Sequence, residues 1–133
     1  MNDSLREKFL TDYRLSTMIT EKVNLLIDDN LVSLITADPQ MIIDLTNELL
    51  DEVKKKQFVF FDRNQEGQLY YTLGRAYNVI TSLEDALLSF TTAMYAFQAT
   101  KNVQMEAKCL SSIGGVYEKT GDTATAYDYT STA

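Results

Sequence analysis

At 133 residues the chain has the size of one domain, and five Gly with a single Pro favour long helices over many short strands. A net charge of −7 without a long basic run argues against nucleic acid, whose phosphates need clustered Lys or Arg. The absence of histidine removes the commonest general base and metal ligand, and with it every Ser-His-Asp or Cys-His arrangement.

Taken in chain order, Met1–Leu10 is charged and lacks the apolar core of a signal peptide. No run approaches the roughly 18 apolar residues that a membrane span needs, so no membrane partner is expected. A single cysteine, Cys109, cannot form an internal disulfide. Together these features give a cytoplasmic chain. Residues 3–37 read as two helices, with Leu5, Phe9, Met18, Ile19, Val23, Leu26, Leu31 and Leu34 as apolar positions and a break at Asp28-Asp29-Asn30. Asp28-Asp29 lacks the alternating ligands and central glycine of a calcium loop, and no metal is expected. Asp38-Pro39 starts the next helix, since aspartate caps and proline fits the first helical position. That helix runs to about Gln57 and buries Ile42, Leu45, Leu49, Leu50 and Val53.

Lys54-Lys55-Lys56, flanked by Asp51-Glu52 and Asp62, reads as a solvated helix end. Phe58-Val59-Phe60-Phe61 can pass for a short strand, but without a partner strand it reads as a helix end or packed connection. Helices follow near 67–80, 84–100 and 104–120 and from 124 onward. The turn at Gly121-Asp122 has glycine available for positive φ, whereas its earlier counterpart, Thr81-Ser82, must turn without it. Cys109 reads as a small buried residue. Gly114-Gly115 belongs to no phosphate-binding pattern, and Gly115 leaves room for a ligand.

The last four helices contain a repeat. Tyr70, Leu73, Gly74, Tyr77, Ala86, Phe90 and Ala93 recur 40 residues later as Leu110, Ile113, Gly114, Tyr117, Ala126, Thr130 and Ala133, with four identities. Only Phe90 to Thr130 changes class. Tyr70, Leu73 and Tyr77 share a helix face at i, i+3 and i+7. Gly74 sits mid-helix, where glycine costs roughly 1 kcal/mol against alanine, and so marks a close crossing with the helix of Ala86 and Phe90. Ala86, Phe90, Ala93 and Phe97 form the facing stripe. Ile42, Thr46 and Leu49 occupy the places of Ala86, Phe90 and Ala93 in a degenerate upstream repeat, at an offset of 44.

The pattern apolar-x2-Leu-Gly-x2-Tyr followed by Ala-x3-Phe-x2-Ala resembles the tetratricopeptide repeat over residues 67–133. Two departures accompany it: the familiar repeat has roughly 34 residues, and Gln98 stands where its usual proline would follow the second helix. The resemblance implies an all-α, right-handed superhelical stack of antiparallel helix pairs. It divides the chain into a helical extension at 1–66, one repeat at 67–106 and a second, truncated repeat at 107–133. Longer repeats of this kind are similar to those of bacterial signalling proteins, ahead of diguanylate cyclases, kinases or DNA-binding output domains. The resemblance therefore implies a protein- or peptide-binding regulatory module, with neither catalysis nor a cofactor.

In that family the first helix of each repeat lines a concave surface. Carried over, the groove positions are Gln68, Tyr71, Arg75, Asn78 and Val79, then Lys108, Ser111, Gly115, Glu118 and Lys119. Arg75 with Asn78 suits a peptide backbone or a carboxylate, while the Lys/Asn clamp of chaperone-binding repeats is not reproduced. A module that forms a homodimer without a separate ligand, through its N-terminal helices or its C-terminal face, is the alternative. The chain stops within a helix and without a polar capping element, so a longer protein or a completing partner is expected. Ala126, Tyr127 and Tyr129 would then form an uncovered strip that self-associates or frays.

Overall fold

In a computed structural model, residues 3–15, 18–57 and 62–121 are described, and among them there are seven α-helices, one 3-10 helix and no strand. The helices are α1 (Asp3–Leu15), α2 (Ile19–Leu26), α3 (Val32–Ala37), α4 (Pro39–Lys55), α5 (Arg63–Val79), α6 (Leu83–Ala99) and α7 (Val103–Lys119), with the 3-10 turn at Asp29–Leu31 before α3. No helix among the described residues is long and apolar enough to cross a membrane. The Phe58–Phe61 segment and the last helix, with Ala126, Tyr127, Tyr129, Thr130 and Ala133, lie outside the described residues.

The stretch at 3–37 divides into three helices rather than two. Asp28 causes the second break: its Oδ1 accepts from the Asn30 N–H at 2.8 Å, which ends one helix and opens the 3-10 turn. Asp38 acts as anticipated, accepting from the Met41 N–H at 3.2 Å with Pro39 in the first turn of α4. Arg6 Nε donates to Asp38 Oδ2 at 2.7 Å and holds that carboxyl below its usual range. Lys22 Nζ reaches Glu52 Oε2 at 3.2 Å, and Lys55 and Lys56 pair with Asp51 and Glu52 one turn back. Those pairs account for two of the three lysines at the end of α4.

From α4 onward the chain is regular. Helices α4 to α7 each have 17 residues, and α5, α6 and α7 begin 20 residues apart. The 40-residue period is therefore two equal helix-plus-turn units. The boundaries drawn at 67 and 107 fall just inside α5 and α7, because these helices are capped earlier, by Asp62 and Asn102. Each helix closes on a residue of positive φ: Gln57 (51°), Thr81 (57°), Lys101 (57°) and Gly121 (84°). The Ser82 N–H donates to the Tyr77 carbonyl and the Asn102 N–H to that of Phe97, both at 2.9 Å, so the same left-handed closing turn is used twice.

Helices α5 and α6 cross closely along their length. A Cβ on Gly74 would lie 2.7 Å from the Phe90 ring, and one on Gly67 would lie 2.7 Å from the Phe97 ring. Two turns forward on α5 correspond to two turns back on α6, so the helices run antiparallel. Ala86 and Ala93 are fully buried on the same face of α6. The expected stripe needs one correction. Tyr70, Tyr77, Leu110 and Tyr117 are only half-buried, whereas Leu69, Leu73 and Ala76 and their +40 counterparts Cys109, Ile113 and Val116 form the buried face. Tyrosine carries a hydroxyl that needs a polar partner, so Tyr77 lies at a seam where its oxygen accepts from Asn47 Nδ2 at 3.1 Å. Ile42, Thr46 and Leu49 are as buried as Ala86, Phe90 and Ala93, which matches the 44-residue offset.

Candidate functional site

The 17-residue frame places one face of α5 opposite one face of α7, with the turn between α2 and α3 as a third wall. These elements enclose a groove of about 660 Å³. Gln68, Tyr71 and Arg75 line it from α5, and Lys108 and Ser111 from α7. Their spacing explains why they converge: 68, 71 and 75 lie on one helical stripe, as do 108 and 111. Five of the eight principal sequence candidates thus meet in one cavity.

The remaining three do not line it. Asn78 lies beyond Arg75, and its carbonyl and Oδ1 accept from Lys119 Nζ at 3.2 and 2.8 Å, tying the end of α5 to the end of α7. Arg75 thus lines the groove, while the Asn78 oxygens face Lys119. Glu118 is exposed outside the groove, and so is Val79. Gly115, the +40 counterpart of Arg75, has open space where a Cβ would point. Along α7 the bulk of Tyr71 and Arg75 is thus replaced by Ser111 and Gly115.

The third wall comes from the N-terminal helices: Ile27, Asp28, Asp29, Leu31, Val32 and Ile35. Thr72 holds it in place, since its Oγ1 donates to the Leu26 carbonyl at 3.0 Å and satisfies an acceptor left over at the end of α2. These residues were not among the sequence candidates, although a signal for them exists. Carried back by 44, α5 falls on residues 19–35, and Tyr71 and Arg75 fall on Ile27 and Leu31. The α2-to-α3 segment thus lies 44 positions before α5 and is broken at Asp28.

Charge is distributed unevenly across the cavity. The Arg75 guanidinium lies 5.8 Å from the centre of the Tyr71 ring, which in turn packs tilted on Phe90 at 5.6 Å. Among the described residues neither Arg75 nor Lys108 pairs with a carboxylate, whereas Arg63 and Lys22 pair with Glu66 and Glu52. On the facing wall Asp28 is engaged by Asn30, and Asp29 has no ion-pair partner among the described residues. Cys109 is fully buried against Ala93 and Phe97, away from the groove lining. Burial, with Glu106 adding to it, pushes its thiol up to about 12, so it carries no thiolate chemistry at neutral pH. No family model, curated protein or solved structure matches the chain.

Proposed function

We propose that the chain is a binding module of the tetratricopeptide type, a right-handed stack of antiparallel helix pairs whose groove takes a segment of a protein or peptide. One observation carries this reading: residues chosen from two repeats, 40 positions apart, line a single cavity of about 660 Å³. Its walls mix an aromatic ring, small side chains and charges that form no ion pair among the described residues, a combination suited to a peptide. In this reading the module is the sensory or regulatory region of a larger cytoplasmic signalling protein. Occupancy biases an output domain because the groove's walls belong to three separate helical segments that a ligand draws together.

Panning a random-peptide library tests the reading, with Ser111→Trp as counter-selection. Ser111 is exposed on α7, so a bulky side chain there fills the groove without entering the core. Enriched peptides should bind the natural chain and lose affinity for Ser111→Trp. Peptides that bind both equally would show that the groove is not the site.

A further inference from the structure

We propose that the groove selects a segment of mixed charge, with acidic side chains against α5 and α7 and a basic side chain against the turn between α2 and α3. This rests on the peptide-binding reading above and adds the chemistry of the occupant. Arg75 and Lys108 supply two cations on one side of the cavity, and Asp28 and Asp29 supply two carboxylates on the other. No ion pair joins the two sides among the described residues, although each side carries what the other lacks. Arg75 lies over Tyr71 instead of reaching across. Among the described residues Arg75, Lys108 and Asp29 therefore keep their charges for whatever enters between them, while Asp28 has one oxygen on the Asn30 N–H.

Complementarity excludes the simpler occupants. A purely acidic segment satisfies Arg75 and Lys108 but meets Asp28 and Asp29 in a chain of net charge −7. A purely basic segment meets the reverse problem. Only a segment carrying both signs satisfies both sides. The helix frame also sets a spacing. Lys108 is the +40 counterpart of Gln68, two turns before Arg75, so the two cations are staggered by about 10 Å along the helix direction. An extended peptide rises about 3.3 Å per residue, so acidic residues about three apart span that stagger. One carboxylate per cation is the arrangement that fits.

Fluorescence anisotropy with labelled peptides of equal length tests this, using a peptide of Glu-Lys-Ser repeats, whose acidic residues stand three apart, an all-Glu peptide, an all-Lys peptide and a neutral Ser/Gln peptide. The Glu-Lys-Ser peptide should bind most tightly and weaken as salt rises. The double variant Arg75→Glu with Lys108→Glu should weaken it about tenfold or more, and so should Asp29→Lys. Asp29 is chosen over Asp28 because Asp28 holds the 3-10 turn. Unchanged circular dichroism and melting temperature establish that the variants fold, and amide exchange in α5 and α7 reports where the peptide sits. Equal affinity for a single-sign or neutral peptide that protects α5 and α7 would overturn charge selection while leaving the groove as a peptide site. If no peptide protects those helices, the groove reading falls and this proposal with it.

Discussion

At Gly74 a methyl group would lie 2.7 Å from the Phe90 ring, and Phe90 is itself fully enclosed, so the ring cannot swing away. Alanine would gain about 1 kcal/mol in helix propensity but must push the ring. Leucine adds further overpacking, and Gly74→Leu should lose about 1–3 kcal/mol in urea denaturation. Unchanged stability would mean that the glycine has no packing role. Thr46 presents the opposite case. It lies 44 positions before Phe90, fully buried, and its hydroxyl has no hydrogen-bond partner among the described residues. Thr46→Val keeps the shape and removes the orphaned group, so it should raise stability by about 1 kcal/mol. Cys109 provides a kinetic check. With its thiol held near 12, modification by a disulfide reagent at neutral pH should be slow and should follow the rate at which the fold opens. Rapid labelling of the folded chain would contradict the burial.

Among the elements, the turns show the regularity most clearly. Thr81, Lys101 and Gly121 occupy the same left-handed closing position at successive 20-residue steps, and only the last is glycine. A β-branched residue is strained there, so Thr81→Gly should stabilise by about 0.5–1 kcal/mol and Lys101→Gly by somewhat less. Thermal melts would check the order as well as the sign. The need for Thr81 to turn without glycine was legible in the sequence, as were the long helices, the Asp38-Pro39 start and the crossing at Gly74. The phase of the buried stripe was not. Tyr70 and Tyr77 read as apolar at helical spacing, but their hydroxyls keep them at seams, while the smaller Ala76 enters the core unmarked. The third wall of the groove was missed for a related reason. Asp28 divides this segment into α2 and α3, so it read as an extension and not as a wall of the groove.

At the scale of the whole molecule, the N-terminal helices are core rather than appendage. One apolar cluster runs from Phe9 on α1 through Val23, Leu26, Leu34, Ile42 and Leu49 to Leu69, Leu73 and Ala76 on α5. Charge reinforces the attachment, with Arg6 on Asp38 and Lys22 on Glu52. Both carboxyls lie below their ordinary values, Asp38 chiefly through its hydrogen bond from Arg6 and Glu52 chiefly through Lys56, with Lys22 adding to it. Their contribution is complete above the usual carboxylate range of about 4 and is lost as pH falls through the depressed folded values. Acid titration of stability should therefore show a decline below about pH 4 that Asp38→Asn flattens.

The same continuity decides what truncation does. If residues 1–37 served only to pair chains, their removal would leave α4 to α7 folded and monomeric. The core indicates otherwise. Removing α2 and α3 uncovers Ile42, Leu49, Leu69 and Leu73 together, all of them buried in the intact chain, and leaves Thr72 without the Leu26 carbonyl. Each large apolar side chain so exposed forfeits about 1.5–3 kcal/mol, and four of them match the whole stability of a small domain. Deleting residues 1–15 removes α1 alone, with Phe9 and Tyr13 from the edge of that cluster. The shorter deletion should therefore melt cooperatively at a lower temperature. Deletion of 1–37 should abolish the cooperative transition and leave helical signal without a sharp midpoint. Circular dichroism melts of the two truncations, with urea m-values for the surface exposed, distinguish the cases. A sharp, native-like transition in the chain lacking 1–37 would show that the repeat half folds alone and that the groove's third wall is dispensable.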